Sequence, residues 1–174
     1  MDAMLTAVYF VLSYFSISIG GGIAISLGSF PIVLSALVFG PWDSSFIALL
    51  GEFLIQVLKY GITLTTVLWI LPPMLRGLTI GFFASTLAKK GHRLEDNLPL
   101  YLAVSILGAL LTSGGNTLVI YLDSLVYKVP LVSVFVVAAM RFVIGMATAI
   151  VVAFACRPLA KVVRKLENQN TDRP

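Results

Sequence analysis

The chain has 174 residues, 59% of them hydrophobic and only 11% charged, and its mean hydropathy is +0.99. A soluble domain carries about 25% charged residues, so the composition excludes a soluble protein and describes one integral membrane domain, 1–174, with about six spans at ~20 apolar residues per crossing. The formal charge of +4 reports membrane orientation rather than a nucleic-acid partner, because most of the basic residues lie in one loop and the C-terminal tail.

The first span is Met1 to Ile19, MDAMLTAVYFVLSYFSISI. It has no basic n-region and no A-x-A cleavage site, so it reads as a retained span. Ala3 and Ala7 share one face, where small residues let another helix approach closely; packing within the chain and docking of another subunit both fit. Gly20, Gly21 and Gly22 then break the helix, and the run to Pro31 is expected to be an ordered outer loop capping a cavity. Pro31 starts a second span, which ends at the tight turn Gly40-Pro41-Trp42-Asp43 with its interfacial Trp. Ser44 to Tyr60 is the third span, with Asp43 or Ser44 as N-cap.

Glu52 and Gln56 lie one turn apart and share a face with Lys59. An intramembrane charge costs roughly 2.5–3.5 kcal/mol on insertion scales, so these residues should point into the bundle, either as a polar clasp between helices or as ligand contacts. Gly61 to Trp69, which includes Thr65, reads as a Thr-rich outer loop or a partly unwound segment whose hydroxyls can donate or accept. Pro72-Pro73 opens or kinks the fourth span. Arg76 follows one turn later, and its fork suits a ligand carboxylate, phosphate or amide oxygen unless it neutralises Glu52.

The charged loop Lys89 to Asp96, KKGHRLED, must lie in water. With Arg157, Lys161, Arg164, Lys165 and Arg173 of the 157–174 tail it holds eight of the twelve basic residues. Both should face the cytoplasm, so an even number of spans separates them: Leu98 to Tyr127 and Pro130 to Ala155. Counting back, four spans precede the loop and the amino terminus is cytoplasmic too. SGGN at Ser113 to Asn116 is a plausible kink in the long fifth span. Beyond it Asn116, Tyr121, Asp123, Tyr127 and Lys128 approach the outer surface as a third side of the pocket, with Asp123 and Lys128 more often a solvated pair than ligands. Arg141, in the outer half of the last span, pairs with Asp123 or Glu52, snorkels, or touches the ligand. The tail is a basic amphipathic extension suited to anionic lipid headgroups.

Chemistry for an enzyme is missing from this pattern. The chain has one cysteine, Cys156, and one histidine, His92, so no disulfide, Cys-based metal site or His cluster is expected. Neither the phosphate loop G-x-x-x-x-G-K-S/T nor the nucleophile motif G-x-S-x-G is present. No catalytic residue, metal or cofactor is assigned to this chain, and any ATP-driven step must come from a partner.

The size, the span count, the Ala3-Met4-Leu5-Thr6-Ala7 motif and the segment SFPIVLSALVFGP leading into GEFL resemble the substrate-binding S-components of energy-coupling factor (ECF) vitamin transporters. The resemblance implies an all-α bundle in the bacterial cell membrane that captures a vitamin at the outer face and topples to release it inside. It also implies a transmembrane coupling subunit docking on Ala3 and Ala7, two cytoplasmic ATPases, and a pocket under the loops Gly20 to Phe30, Gly61 to Trp69 and Asp123 to Pro130. Glu52, Arg76 and Asn116 come from the residues alone. The expected substrate contacts are Glu52, Lys59, Thr65, Trp69, Arg76, Asn116, Tyr127 and Arg141. Few fixed charges and hydroxyl-rich loops favour cobalamin as the cargo, with pantothenate or folate next. A self-sufficient ion-coupled carrier or channel, with Glu52, Lys59 and Arg76 as its relay, and a structural membrane subunit are the alternatives.

Overall fold

The computed structural model of the chain describes residues 2–20, 23–128 and 131–171; Gly21, Gly22, Pro130 and Arg173, used above, lie outside the described residues. Six helices pack as a bundle with one small ribbon: α1 Asp2–Tyr14, β1 Ile17–Gly20, β2 Ile23–Ile25, α2 Ser29–Val38, α3 Pro41–Ile55, α4 Thr66–Lys89, α5 Leu98–Tyr127 and α6 Leu131–Thr171. Three apolar stretches have membrane length, Thr66–Lys89, Leu98–Tyr127 and Val134–Lys165. The all-helical membrane fold expected from the sequence is therefore present, with the ribbon as its one exception.

Several boundaries differ from the sequence reading. The first helix stops at Tyr14 rather than Ile19, because the alternating Ile17-Ser18 and Ala24-Ile25 segments pair as antiparallel strands with Ile17 opposite Ile25. The expected loop is thus a β-ribbon. Helix α2 has 10 residues, about 15 Å at 1.5 Å per residue, roughly half the hydrocarbon thickness. It ends at Val38 with Phe39 as its C-cap, and Gly40 follows, whose φ of 103° suits glycine. Gly40 rather than Asp43 or Ser44 is the N-cap of α3, with Pro41 in the first turn. Helix α3 continues as a π-helical turn, Gln56–Tyr60.

Helix α4 begins at Thr66 and runs through Pro72 and Pro73 instead of opening at them. Its start is fixed by hydroxyls: the Thr63 N–H donates to Thr66 Oγ1 at 2.8 Å. Pro72 is held by packing, since a Cβ at Gly115 of α5 would stand 3.1 Å from its ring. Ser113 to Asn116 stays helical. Helix α4 also approaches α3 unusually closely, as Gly77 and Gly81 form a small-x-x-x-small face. A Cβ at Gly77 would lie 3.0 Å from Ser44 Oγ, and one at Gly81 2.6 Å from Pro41 N.

The larger apolar core lies at the end of the bundle that carries the basic loop, where Val33 and Leu37 of α2, Ile80 of α4, Tyr101 of α5 and Val152 and Cys156 of α6 meet. Here the loop departs from expectation. Leu94 packs into this core and draws Glu95 with it, so that Glu95 is 0% exposed rather than in water. Arg164 Nη1 pairs with Glu95 Oε1 at 2.5 Å, and its other terminal nitrogen donates to the Leu37 carbonyl. Arg157 Nε donates to the Glu95 carbonyl at 2.9 Å. The tail is thus the continuation of α6, stapled to α2 and the loop.

Candidate functional site

The opposite, ribbon-bearing half of the bundle encloses a cavity of about 890 Å³. Each helix contributes one stripe at helical spacing. On α5 the stripe is Thr112, Asn116, Ile120, Asp123 and Tyr127; on α6 it is Val134, Val137, Arg141, Ile144 and Thr148. Helix α4 supplies Trp69, Pro73 and Arg76 below Thr65, and α1 supplies Tyr9, Ser13 and Ser16. The π-helical turn widens the end of α3 so that Gln56, Lys59 and Tyr60 join Glu52 on the wall. All eight residues expected at the ligand, Glu52, Lys59, Thr65, Trp69, Arg76, Asn116, Tyr127 and Arg141, are brought to this one cavity. Tyr121 is not among its walls.

The charges are divided between distinct tasks. Glu52 is bonded at both oxygens: Tyr9 Oη donates to Oε2 at 2.6 Å and Gln56 Nε2 donates to Oε1 at 2.9 Å. Gly51 makes the first of these possible, because a Cβ there would lie 2.9 Å from two Tyr9 ring atoms. Lys59 Nζ donates to the Tyr14 carbonyl at 3.1 Å and to Ser16 Oγ at 2.9 Å, capping the end of α1. It also sits 5.8 Å from the Tyr14 ring centroid and 5.7 Å from that of Tyr60.

Across the cavity, Trp69 Nε1 donates to Asp123 Oδ2 at 3.1 Å, and the Arg141 guanidinium lies 5.7 Å from the Trp69 ring centroid. The expected Asp123–Lys128 pair is absent among the described residues; Asp123 faces the wall, whereas Lys128 is the left-handed cap beyond α5, with φ 55°. Arg76 makes no ion pair with Glu52 or another acid among the described residues. Its Nε is buried without a hydrogen-bond partner. Its stem crosses α5 at Gly108, where a Cβ would stand 3.4 Å from Arg76 Cγ.

The walls therefore carry three cations, Lys59, Arg76 and Arg141, against two acids, Glu52 and Asp123, a formal surplus of one positive charge (3 − 2). The remaining polar lining is mostly hydroxyl. Tyr9, Ser13, Ser16, Thr112, Ser113 and Thr148 were not among the expected contacts. Their signal is spacing: Tyr9, Ser13 and Ser16 fall at i, i+4 and i+7, in register with the bonds to α3. Ala3 and Ala7 stand on the other side of α1 from the buried Leu5, Thr6 and Tyr9, exposed at the bundle surface.

Three solved structures share this architecture. An S-component for biotin from an ECF-type ABC transporter matches with a TM-score of 0.67 at 17% identity, covering 92% of this chain and 88% of that one. The S component of a bacterial ECF transporter matches at 0.64 and 19% identity, covering 93% and 94%. ThiT from Listeria monocytogenes matches at 0.69 and 22% identity, covering 95% and 93%. At these identities the likeness is one of fold. No curated protein matches the chain in sequence. The family model described as the ECF-type riboflavin transporter, S component, matches residues 1–165, and the chain belongs to that family.

Proposed function

We propose that this chain is the riboflavin-binding subunit of an ECF-type importer, taking the vitamin into the ribbon-end cavity. S components are integral plasma-membrane subunits that bind a vitamin and work with a membrane coupling subunit and ATPases. The observation that carries the cargo reading is the character of the cavity in a chain of this family. Its volume of about 890 Å³ lies within the ~300–1,000 Å³ of small-molecule sites. Its walls combine apolar side chains, aromatic rings and hydroxyls with one surplus positive charge, which suits a neutral planar ring bearing a polyol chain and disfavours a cation such as thiamine. Nothing in these findings favours cobalamin.

The remaining assignments follow from that reading. The basic loop and the basic end of α6 face the cytoplasm, so the cavity opens outside. The coupling subunit docks on α1 at Ala3 and Ala7, two partner ATPases hydrolyse ATP, and the subunit reorients to release its cargo inside. This chain needs no cofactor. The carrier reading requires a relay through Glu52, Lys59 and Arg76, yet Glu52 and Lys59 are bonded to α1.

The test is titration of the purified protein, without nucleotide, with riboflavin followed by flavin fluorescence, against thiamine, biotin, cobalamin, pantothenate and folate. Saturable binding of riboflavin alone is expected. Selective binding of another vitamin refutes the cargo, and no binding by demonstrably folded protein refutes the binding-subunit reading.

A further inference from the structure

We propose, resting on the riboflavin reading, that Arg76 and Asn116 read the imide edge of the flavin, so that the pyrimidine-dione end lies deepest and the ribityl chain points to the rim. Arg76 is a cavity cation that neither caps a helix nor pairs with an acid among the described residues, and its Nε is buried there without a hydrogen-bond partner. A guanidinium in such a place has donors and no acceptors, and its charge raises the strength of any hydrogen bond it gives to a carbonyl.

The depth of the two residues follows from the helix contacts. Gly115 of α5 abuts Pro72 of α4. Asn116 is therefore about one helical turn, ~6 Å, nearer the rim than Arg76. Side chains on a helix lean toward its N-terminus, which in α4 is the rim, so Arg76 extends toward Asn116. An Asn carboxamide presents one acceptor and two donors. Together the two side chains offer donor, acceptor and donor in sequence, the complement of the carbonyl, N–H and carbonyl of a cyclic imide. Toward the ribbon end the hydroxyls of Ser16, Ser26, Thr63 and Thr65 join the lining beside Lys59, and such groups can donate to and accept from a polyol.

The test uses wild-type protein and three probes: riboflavin, N3-methylriboflavin, whose imide N–H is blocked, and lumiflavin, which keeps the ring and lacks the ribityl chain. Methylation at N3 should weaken binding at least about tenfold, as expected when a buried acceptor loses its donor. Arg76→Met should weaken riboflavin and lumiflavin by the same factor, about tenfold to a hundredfold for a bond to a charged group. Asn116→Ala should weaken riboflavin by a larger factor than N3-methylriboflavin, which has already lost the bond from its imide N–H. Equal affinity of wild type for riboflavin and N3-methylriboflavin overturns the orientation even if both variants fail to fold, and so does an Arg76→Met effect confined to riboflavin. Failure of wild type to bind riboflavin overturns the cargo reading first, and the orientation with it.

Discussion

Replacing Gly51 with alanine should unseat Tyr9, and with it the contact between α1 and the cavity wall. The added methyl would meet Tyr9 Cδ1 first and stand 2.9 Å from Cγ and Cε1, so the ring must retreat by well over the ~0.5 Å that would bring Cγ and Cε1 alone to ordinary contact at 3.4 Å. The ring cannot retreat without lengthening the 2.6 Å bond from its hydroxyl to Glu52. Overpacking costs ~1–3 kcal/mol and a hydrogen bond to a charged group contributes ~1.5–3 kcal/mol. Because moving the ring relieves one at the expense of the other, the two do not add, and the expected loss is about 1–3 kcal/mol. For a chain of this size that lowers Tm by about 2–12 °C, read by thermal unfolding of the detergent-solubilised protein. In a Tyr9→Ala background the new methyl meets no ring, so Gly51→Ala should cost almost nothing there. A Gly51→Ala protein that melts with wild type, or the same loss in both backgrounds, refutes the reasoning.

Arg164→Ala should lower stability by ~3–5 kcal/mol, since it leaves the wholly buried Glu95 unpaired; Glu95→Gln in that background should recover part of the melting temperature. Ala3→Leu with Ala7→Leu should abolish co-purification with a coupling subunit while riboflavin affinity stays that of wild type, because both residues face away from the cavity; normal assembly would move the docking face elsewhere. The hydrogen bond from Lys161, 2.8 Å away, holds Asp96 below the ordinary carboxylate range. A depressed folded value stabilises the fold above that range and loses its effect as pH falls through it. Carboxyl NMR should therefore show Asp96 titrating at higher pH in Lys161→Ala, with little change in melting because both side chains are exposed.

The sequence was informative where residue chemistry is local. Helix α5 spans Leu98–Tyr127 in both readings because its start is written in three adjacent residues, Asn97 capping the Leu100 N–H at 3.3 Å and Pro99 in the first turn. Of the eight residues expected at the ligand, the charged and large polar ones were conspicuous because such groups are rare in apolar helices, and Thr65 because its loop is rich in hydroxyls. The hydroxyls of the helices were not. Thr112 and Thr148 bond to carbonyls of their own helix at 2.7 and 2.9 Å, as Thr79 and Thr86 do on exposed faces at 2.7 Å. Type and bonding are the same, and only the neighbours decide which of them meets the cavity. The ribbon was missed for a related reason: a short alternating run beside an apolar helix has no period long enough to separate strand from loop. Burial of Glu95 depends on Arg164, 69 residues away, and no local pattern reports that.

The distribution of the charges gives α1 a double position. Its inner side carries Tyr9, bonded to Glu52, and its end is capped by Lys59 through Tyr14 and Ser16. Its outer side carries Ala3 and Ala7, where close approach of another helix meets the least steric resistance. Glu52 of α3 and Lys59 of its π-helical turn thus both bond to the one helix that is at once a wall of the cavity and the proposed docking face. Moving α1 away from α3 breaks bonds to Glu52 and Lys59 together, returns two charges to the cavity, and opens the wall at Tyr9. If the coupling subunit docks on α1 as proposed, a displacement of that helix therefore changes the electrostatics of the cavity as well. Arg76 packs instead against α5 at Gly108, and no bond to α1 holds it among the described residues.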